Sequence, residues 1–153
     1  MADDLEANLQ RLLIQVPRWA EQAMAYTTLW METRAKATSA FQDQTTNLRN
    51  SIQGGVVEAT GDVVEGALSA GYPGFGASME YAPYVELGTP PHVIRPKTAK
   101  ALWWEGAEHP VASVKHPGTA PRPFIWPTVQ EAAAQQIFER AFQSYLRQGL
   151  GGG

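Results

Sequence analysis

Three histidines, His92, His109 and His116, share one stretch of chain with Glu80, Glu86, Glu105 and Glu108. Imidazole and carboxylate groups are the raw material of acid–base pairs and of metal sites. Their spacing defines neither. There is no HExxH and no DxDxDG. His109 and His116 each precede a proline, which favours extended loop and polar or capping roles for the rings. Serine, histidine and acid all occur, but without the GxSxG elbow that presents a nucleophile. The GYPGFG segment at 71–76 is not followed by Lys-Ser/Thr, so it reads as a mobile loop and not a phosphate cradle. Cysteine is absent, which excludes disulfides, thiol nucleophiles and cysteine-held zinc. The reading is therefore of a chain with no catalytic, metal-binding or cofactor residues. Two chemical alternatives stay open. One is a small metal- or carboxylate-dependent hydrolase or nuclease using Glu86 with His92 or His116. The other is nucleic-acid stacking on Trp103-Trp104 beside Arg95, Lys97 and Lys100, which predicts salt-dependent DNA binding.

The elements that would position these residues run helix, strands, helix. From Asp3 to Phe41 apolar residues recur at Leu5, Leu9, Leu12/Leu13, Val16, Trp19, Ala23, Tyr26, Trp30, Ala37 and Phe41. Steps of three and four put them on one helical stripe. Asp3 or Asp4 suits the start as a cap, and Pro17 predicts a kink or break. A helix of this length exceeds what a small domain can cover, which points to contacts beyond the subunit. Leu48–Ala59 reads as a strand with a bulge at Gly54-Gly55. Thr60-Gly61-Asp62 turns it into a returning strand, Val63–Ala70. Met79–Gly88 is either a helical turn or a strand. His92–Arg95, Ala101–Glu105 and Val111–His116 read as further strands. A final helix runs from Ile125 to Arg147 with Gly149 as its stop. The fold class is α+β: a long N-terminal helix and a C-terminal helix packed on a small antiparallel sheet. Residues 1–148 form a single domain and 149–153 a flexible glycine-rich tail.

The chain has 153 residues, one domain's worth, of which 44% are hydrophobic and only 18% charged, against a usual ~25% charged. Its net charge of −3 gives no bulk attraction to DNA or to an anionic membrane. No apolar run approaches a membrane span. The start, MADDLEANLQ, is acidic where a secretory leader is basic and then apolar. Charge is unevenly placed. Glu58, Asp62, Glu65, Glu80 and Glu86 give −5 between residues 50 and 90, while residues 91–122 sum to +3 through Arg95, Lys97, Lys100, Lys115 and Arg122 against Glu105 and Glu108. Such neighbouring stretches suit head-to-tail contact between identical subunits.

Three segments carry a resemblance. They are TTNLRNSI at 45–52, YAPYVELGT at 81–89, and HPGT at 116–119 with PRPFIWPT at 121–128. In this order, behind a long helix, they resemble the neck and tail-component family of long-tailed bacteriophages, the head–tail connector and tail-completion proteins. The resemblance spans roughly residues 20–147. One departure is Asn47, where the family usually has glycine; asparagine accepts a left-handed backbone. The family's proline before that turn is also missing, and the GYPGFG segment is longer than the family minimum.

The resemblance implies a structural virion protein and no reaction. Copies would ring the DNA conduit at the head–tail junction or the tail end, as a hexamer by preference or a dodecamer. Connector or stopper, tail terminator or tail tube proteins would be neighbours. DNA would pass without specific binding, no membrane would be involved, and assembly would occur in the bacterial host cytoplasm. Tyr81, Tyr84, Glu86, Arg49, Arg122, Phe124 and Trp104 become candidates for subunit interfaces, with Arg122 or Arg49 as partner for Glu86. The tyrosines remain divided between core and interface. Glu58, Asp62 and Glu65 become candidates for an acidic lumen that lets DNA slide.

Overall fold

The computed structural model describes residues 2–42, 46–71 and 80–151. Its elements are helix α1 (Ala2–Lys36), one turn α2 (Asn47–Asn50), strands β1 (Ile52–Ala59) and β2 (Val64–Ala70), and helix α3 (Ala82–Leu87). Strands β3 (His92–Ile94) and β4 (Val114–His116) and helices α4 (Trp126–Ala134) and α5 (Ile137–Gly151) follow. The fold is α+β, with a long N-terminal helix and small antiparallel sheets. The expected loop over Gly71–Gly76 falls almost wholly outside the described residues, as do Thr45, Met79 and the last two glycines.

α1 is the spine. Its apolar stripe follows a spacing of four and three through Leu5, Leu9, Leu12, Val16, Trp19, Ala23, Tyr26 and Trp30, the period of a helix seam that another helix can follow. α5 lies along the later half. Ile137 joins Met31 and Ala132 in one buried cluster, and Gly149 abuts the Trp19 ring at the other end, so the two helices run antiparallel. Pro17 lies inside α1 and does not end it. The carbonyl it leaves without an N–H partner belongs to Leu13, whose side chain is 76% exposed, where water can serve it. Residues 3 and 4 lie within the first turn and not ahead of it.

The β1–β2 hairpin crosses α1 at a close approach. Ile52, Gly54 and Val56 share a strand face with Ala70, Leu68 and Gly66, their register partners. A Cβ on Gly54 would overlap the Thr28 carbonyl, and one on Gly66 would strike the side chains of Thr28 and Met24. Gly54 therefore lets helix backbone lie on strand backbone, and Gly66 makes room for the Thr28 and Met24 side chains. The expected bulge at Gly54-Gly55 moves for this reason: those residues keep regular register, and the irregularity falls between Val56 and Glu58. Thr27 and Thr28, buried at this crossing, return their hydroxyls to the carbonyls of Ala23 and Ala25 at 2.7 and 3.0 Å, which satisfies them within the helix. Glu32 pins the crossing. It accepts the Gly54 N–H at 2.9 Å and pairs with Lys36 at 2.6 Å.

Four other expectations change. The segment from Leu48 begins as the helical turn α2 before entering β1, and the left-handed residue there is Thr46 (φ 60°), one earlier than Asn47. β3 and β4 form a separate two-stranded sheet and do not extend the first. The strand expected at Ala101–Glu105 reduces to one bridge, Leu102 to Val111. The final helix is two. α4 stops at Gln135, Gln136 turns left-handed (φ 51°), and α5 restarts at Ile137 and continues through Gly149 to Gly151.

Two tests follow from the crossing. Gly54→Ala should lower unfolding free energy by about 1–3 kcal/mol through overpacking, read from the urea midpoint. Gly61→Ala, with open space around it, should stay within about 0.5 kcal/mol. Burial alone would raise the Glu32 pKa, but the Lys36 and Gly54 hydrogen bonds and the Lys36 charge hold it below its ordinary 4.5. The associated stability is thus present above pH 4.5 and lost as pH falls through the lowered value. In acid titrations Glu32→Gln should flatten that limb of the stability curve.

Candidate functional site

The three segments that carry the resemblance meet in space. Leu48 and Ile52 from the first, Ala82 from the second and Phe124 from the third form one buried cluster with Ala35 and Phe41. Phe124 is 1% exposed and meets the Phe41 ring edge-on at 4.9 Å between centroids. It belongs to the chain's own core. The reason lies in its entry: the extended Pro121–Pro123 stretch delivers it inward, and Arg122 N–H bonds the Val85 carbonyl at 2.9 Å on the way.

Glu86 organises this junction. One carboxylate oxygen accepts the N–H groups of Phe124 and Ile125 at 2.7 and 3.0 Å, and the other accepts Trp126 N–H at 2.9 Å. These amides open α4 and have no carbonyl available in the preceding turn. A carboxylate also suits the positive end of the helix. Glu86 thus acts as a cap delivered from α3, and its contacts are main-chain amides where a cation was expected. The sequence pattern concealed this because amides are not written in it.

Arg49 also turns inward. Its Nη1 donates to the Lys36 carbonyl, and to that of Thr38 at 3.2 Å, with the guanidinium 5.0 Å over the Phe41 ring. It satisfies carbonyls at the end of α1, where a cation is favoured.

The remaining candidates are at the surface. Tyr81 and Tyr84 are 42% and 60% exposed. Beside them Leu87 and Trp126, residues within the motifs that had no assigned role, are more exposed still. These two flank an open groove of about 450 Å³ lined by Leu68, Ala70, Ala82 and Phe124. The Arg122 side chain is exposed. Trp104 stands on the β3–β4 ribbon, away from the junction.

The acidic candidates gather at the hairpin end. Glu58 lies directly across from Glu65, and Asp62 is in the connecting turn; all are exposed. Like charges in opposed positions cost stability, so the hairpin carries them against its own interest. His92 and His116 are register partners on the ribbon, with rings 5.0 Å apart. His92 Nδ1 donates to the Pro90 carbonyl at 2.9 Å, and His116 Nδ1 accepts Gly118 N–H at 3.1 Å. Both roles are local turn-making, while the Glu86 oxygens are engaged at α4. Among the described residues no three His, Asp or Glu side chains are gathered as a metal-ligand set. Among them, too, no helix is long and apolar enough to cross a membrane.

No family model matches this chain, and no curated protein or solved structure does either.

Glu86→Ala should free three amides at once. The expected loss is about 1.5–3 kcal/mol, as for hydrogen bonds to a charged group. Amide exchange should accelerate first at Phe124, Ile125 and Trp126, ahead of global unfolding.

Proposed function

We propose that this chain is a structural assembly subunit which rings up with its own copies in the neck or tail of a long-tailed bacteriophage virion. The observation that carries the assembly part is surface. The chain exposes 10954 Å² for 16.7 kDa, whereas a compact monomer of that mass exposes about 7600 Å². Contacts with neighbouring copies would cover such surface.

The character of the surface supports the same reading. Among the described residues 17 large apolar side chains are exposed, including Trp103, Trp104 and Trp126. Where they gather, as Ile94, Trp103 and Trp104 do, such apolar surface marks interaction. The acidic hairpin end and the basic ribbon are distinct elements of opposite sign, which favours head-to-tail contact. The phage assignment rests on the three-segment resemblance, whose residues Leu48, Ala82 and Phe124 pack as one unit. In a ring, Glu58, Asp62 and Glu65 at the lumen would repel phosphates and keep DNA sliding.

Purified chain should associate with rising concentration into one closed species in sedimentation velocity and native mass spectrometry, six copies being favoured. Arg122→Glu should weaken that association at least tenfold and leave the thermal midpoint within a few degrees. A chain that stays monomeric at every concentration, and compact in solution scattering, overturns the reading.

A further inference from the structure

The first half of α1 is an arm that no other helix of its own chain covers. On its stripe Leu5 and Leu9 are exposed, and Leu12 and Val16 half-buried. Along the later half, α1 and α5 bound a groove of about 390 Å³, lined by Tyr26, Ile137, Arg140, Ala141, Ser144 and Gln148. Arg140 is the charged residue of this lining. Its guanidinium has no hydrogen bond or ion pair among the described residues.

Arm and groove share one gauge. Along α5 the lining residues Ile137, Ala141, Ser144 and Gln148 step by four, three and four. Leu5, Leu9, Leu12 and Val16 step the same way. Each row spans eleven residue steps, about 16 Å of helix. Helices seat on one another where such rows match.

We propose that the Leu5–Val16 arm of one copy lies in the α1–α5 groove of a second copy. Three facts select that occupant. α1 is one unbroken helix from Ala2 to Lys36, so an arm cannot fold back onto the groove that its own Tyr26 helps to form. The same stripe is already covered by a helix, α5, between Met31 and Trp19, and the arm is that seam continued. The charges also meet at the contact itself. Asp4 and Glu6 flank Leu5 and are exposed. With Leu5 set against Ile137, they enter at the Arg140 end of the groove, Glu6 within one turn of Arg140 along the axis. The opposite direction would bring Arg11 to Arg140. On α5 the other charged residues, Glu139 and Arg147, lie outside the lining, and Arg147 bonds Gln143 at 3.4 Å. The arm thus runs parallel to α5 and antiparallel to the α1 it joins. The second copy's groove faces the first copy's arm in turn, so the two exchange arms about a two-fold axis. This goes beyond the ring reading and uses a different face, since neither the acidic hairpin nor the ribbon takes part.

The cysteine-free sequence makes the test direct. Full-length Asn8→Cys and Ser144→Cys chains are mixed and treated with a short bis-maleimide. The expected result is a covalent heterodimer several-fold above the dimer formed by either chain alone. Arg140→Glu should weaken association several-fold with an unchanged thermal midpoint, and adding Glu6→Arg to the same chain should restore it. Oligomers that form without the cross-link, or that ignore the Arg140 charge, overturn the arm contact and leave the ring reading standing. Asn8→Cys chains that cross-link as well by themselves overturn it in favour of arm-to-arm pairing. An assembly that stops at two cross-linked copies supports the exchange and overturns the ring. Absence of any oligomer overturns both.

Discussion

The length of α1 sets the terms for everything else. At about 1.5 Å per residue, its 35 residues extend about 52 Å. A chain of 153 residues cannot cover a rod of that length on all sides. What it does cover is chosen by the seam: α5 follows the stripe from Met31 back to Trp19, and the hairpin crosses at Thr28. Beyond Trp19 the same stripe continues without a helix beside it, and Leu5 and Leu9 are 62% and 53% exposed. The uncovered arm is a direct result of a spine longer than its body.

Around that spine the fold is held by main-chain contacts as much as by side chains. Gly54 brings strand backbone to helix backbone, Glu86 gathers three amides, and Arg49 returns to the carbonyls at the end of α1. Among the described residues the apolar core is modest, with two small clusters sharing Leu68 as a neighbour. A small core allows little tolerance, so polar brackets of this kind fix the relative placement of segments far apart in sequence.

The sequence discloses these arrangements unevenly. The α1 stripe and the hairpin were legible because their periods, 3.5 and 2, are written directly in side-chain type. Gly54 was misread as a bulge because glycine serves both a bulge and a close approach, and only the third dimension separates them. The break at Gln135-Gln136 carries neither glycine nor proline, so the residues give no sign of it. Glu86 was given a cation as its partner because a sequence shows candidate cations but not the unpaired amides of a helix start. Leu87 and Trp126 were passed over since apolar residues in a motif default to core.

Gly149 has a consequence for how this fold can change. Its missing side chain admits the Trp19 ring, and Ile137 is fixed beside Met31 at the other end of the helix pair. Twelve residues separate Gly149 from Ile137, and twelve separate Met31 from Trp19. The two helices are therefore gauged against each other like the rails of a ladder. A residue gained or lost on one rail between these pins would drive a side chain into the indole unless the other rail changed with it. Related chains should therefore preserve this spacing or alter both helices together.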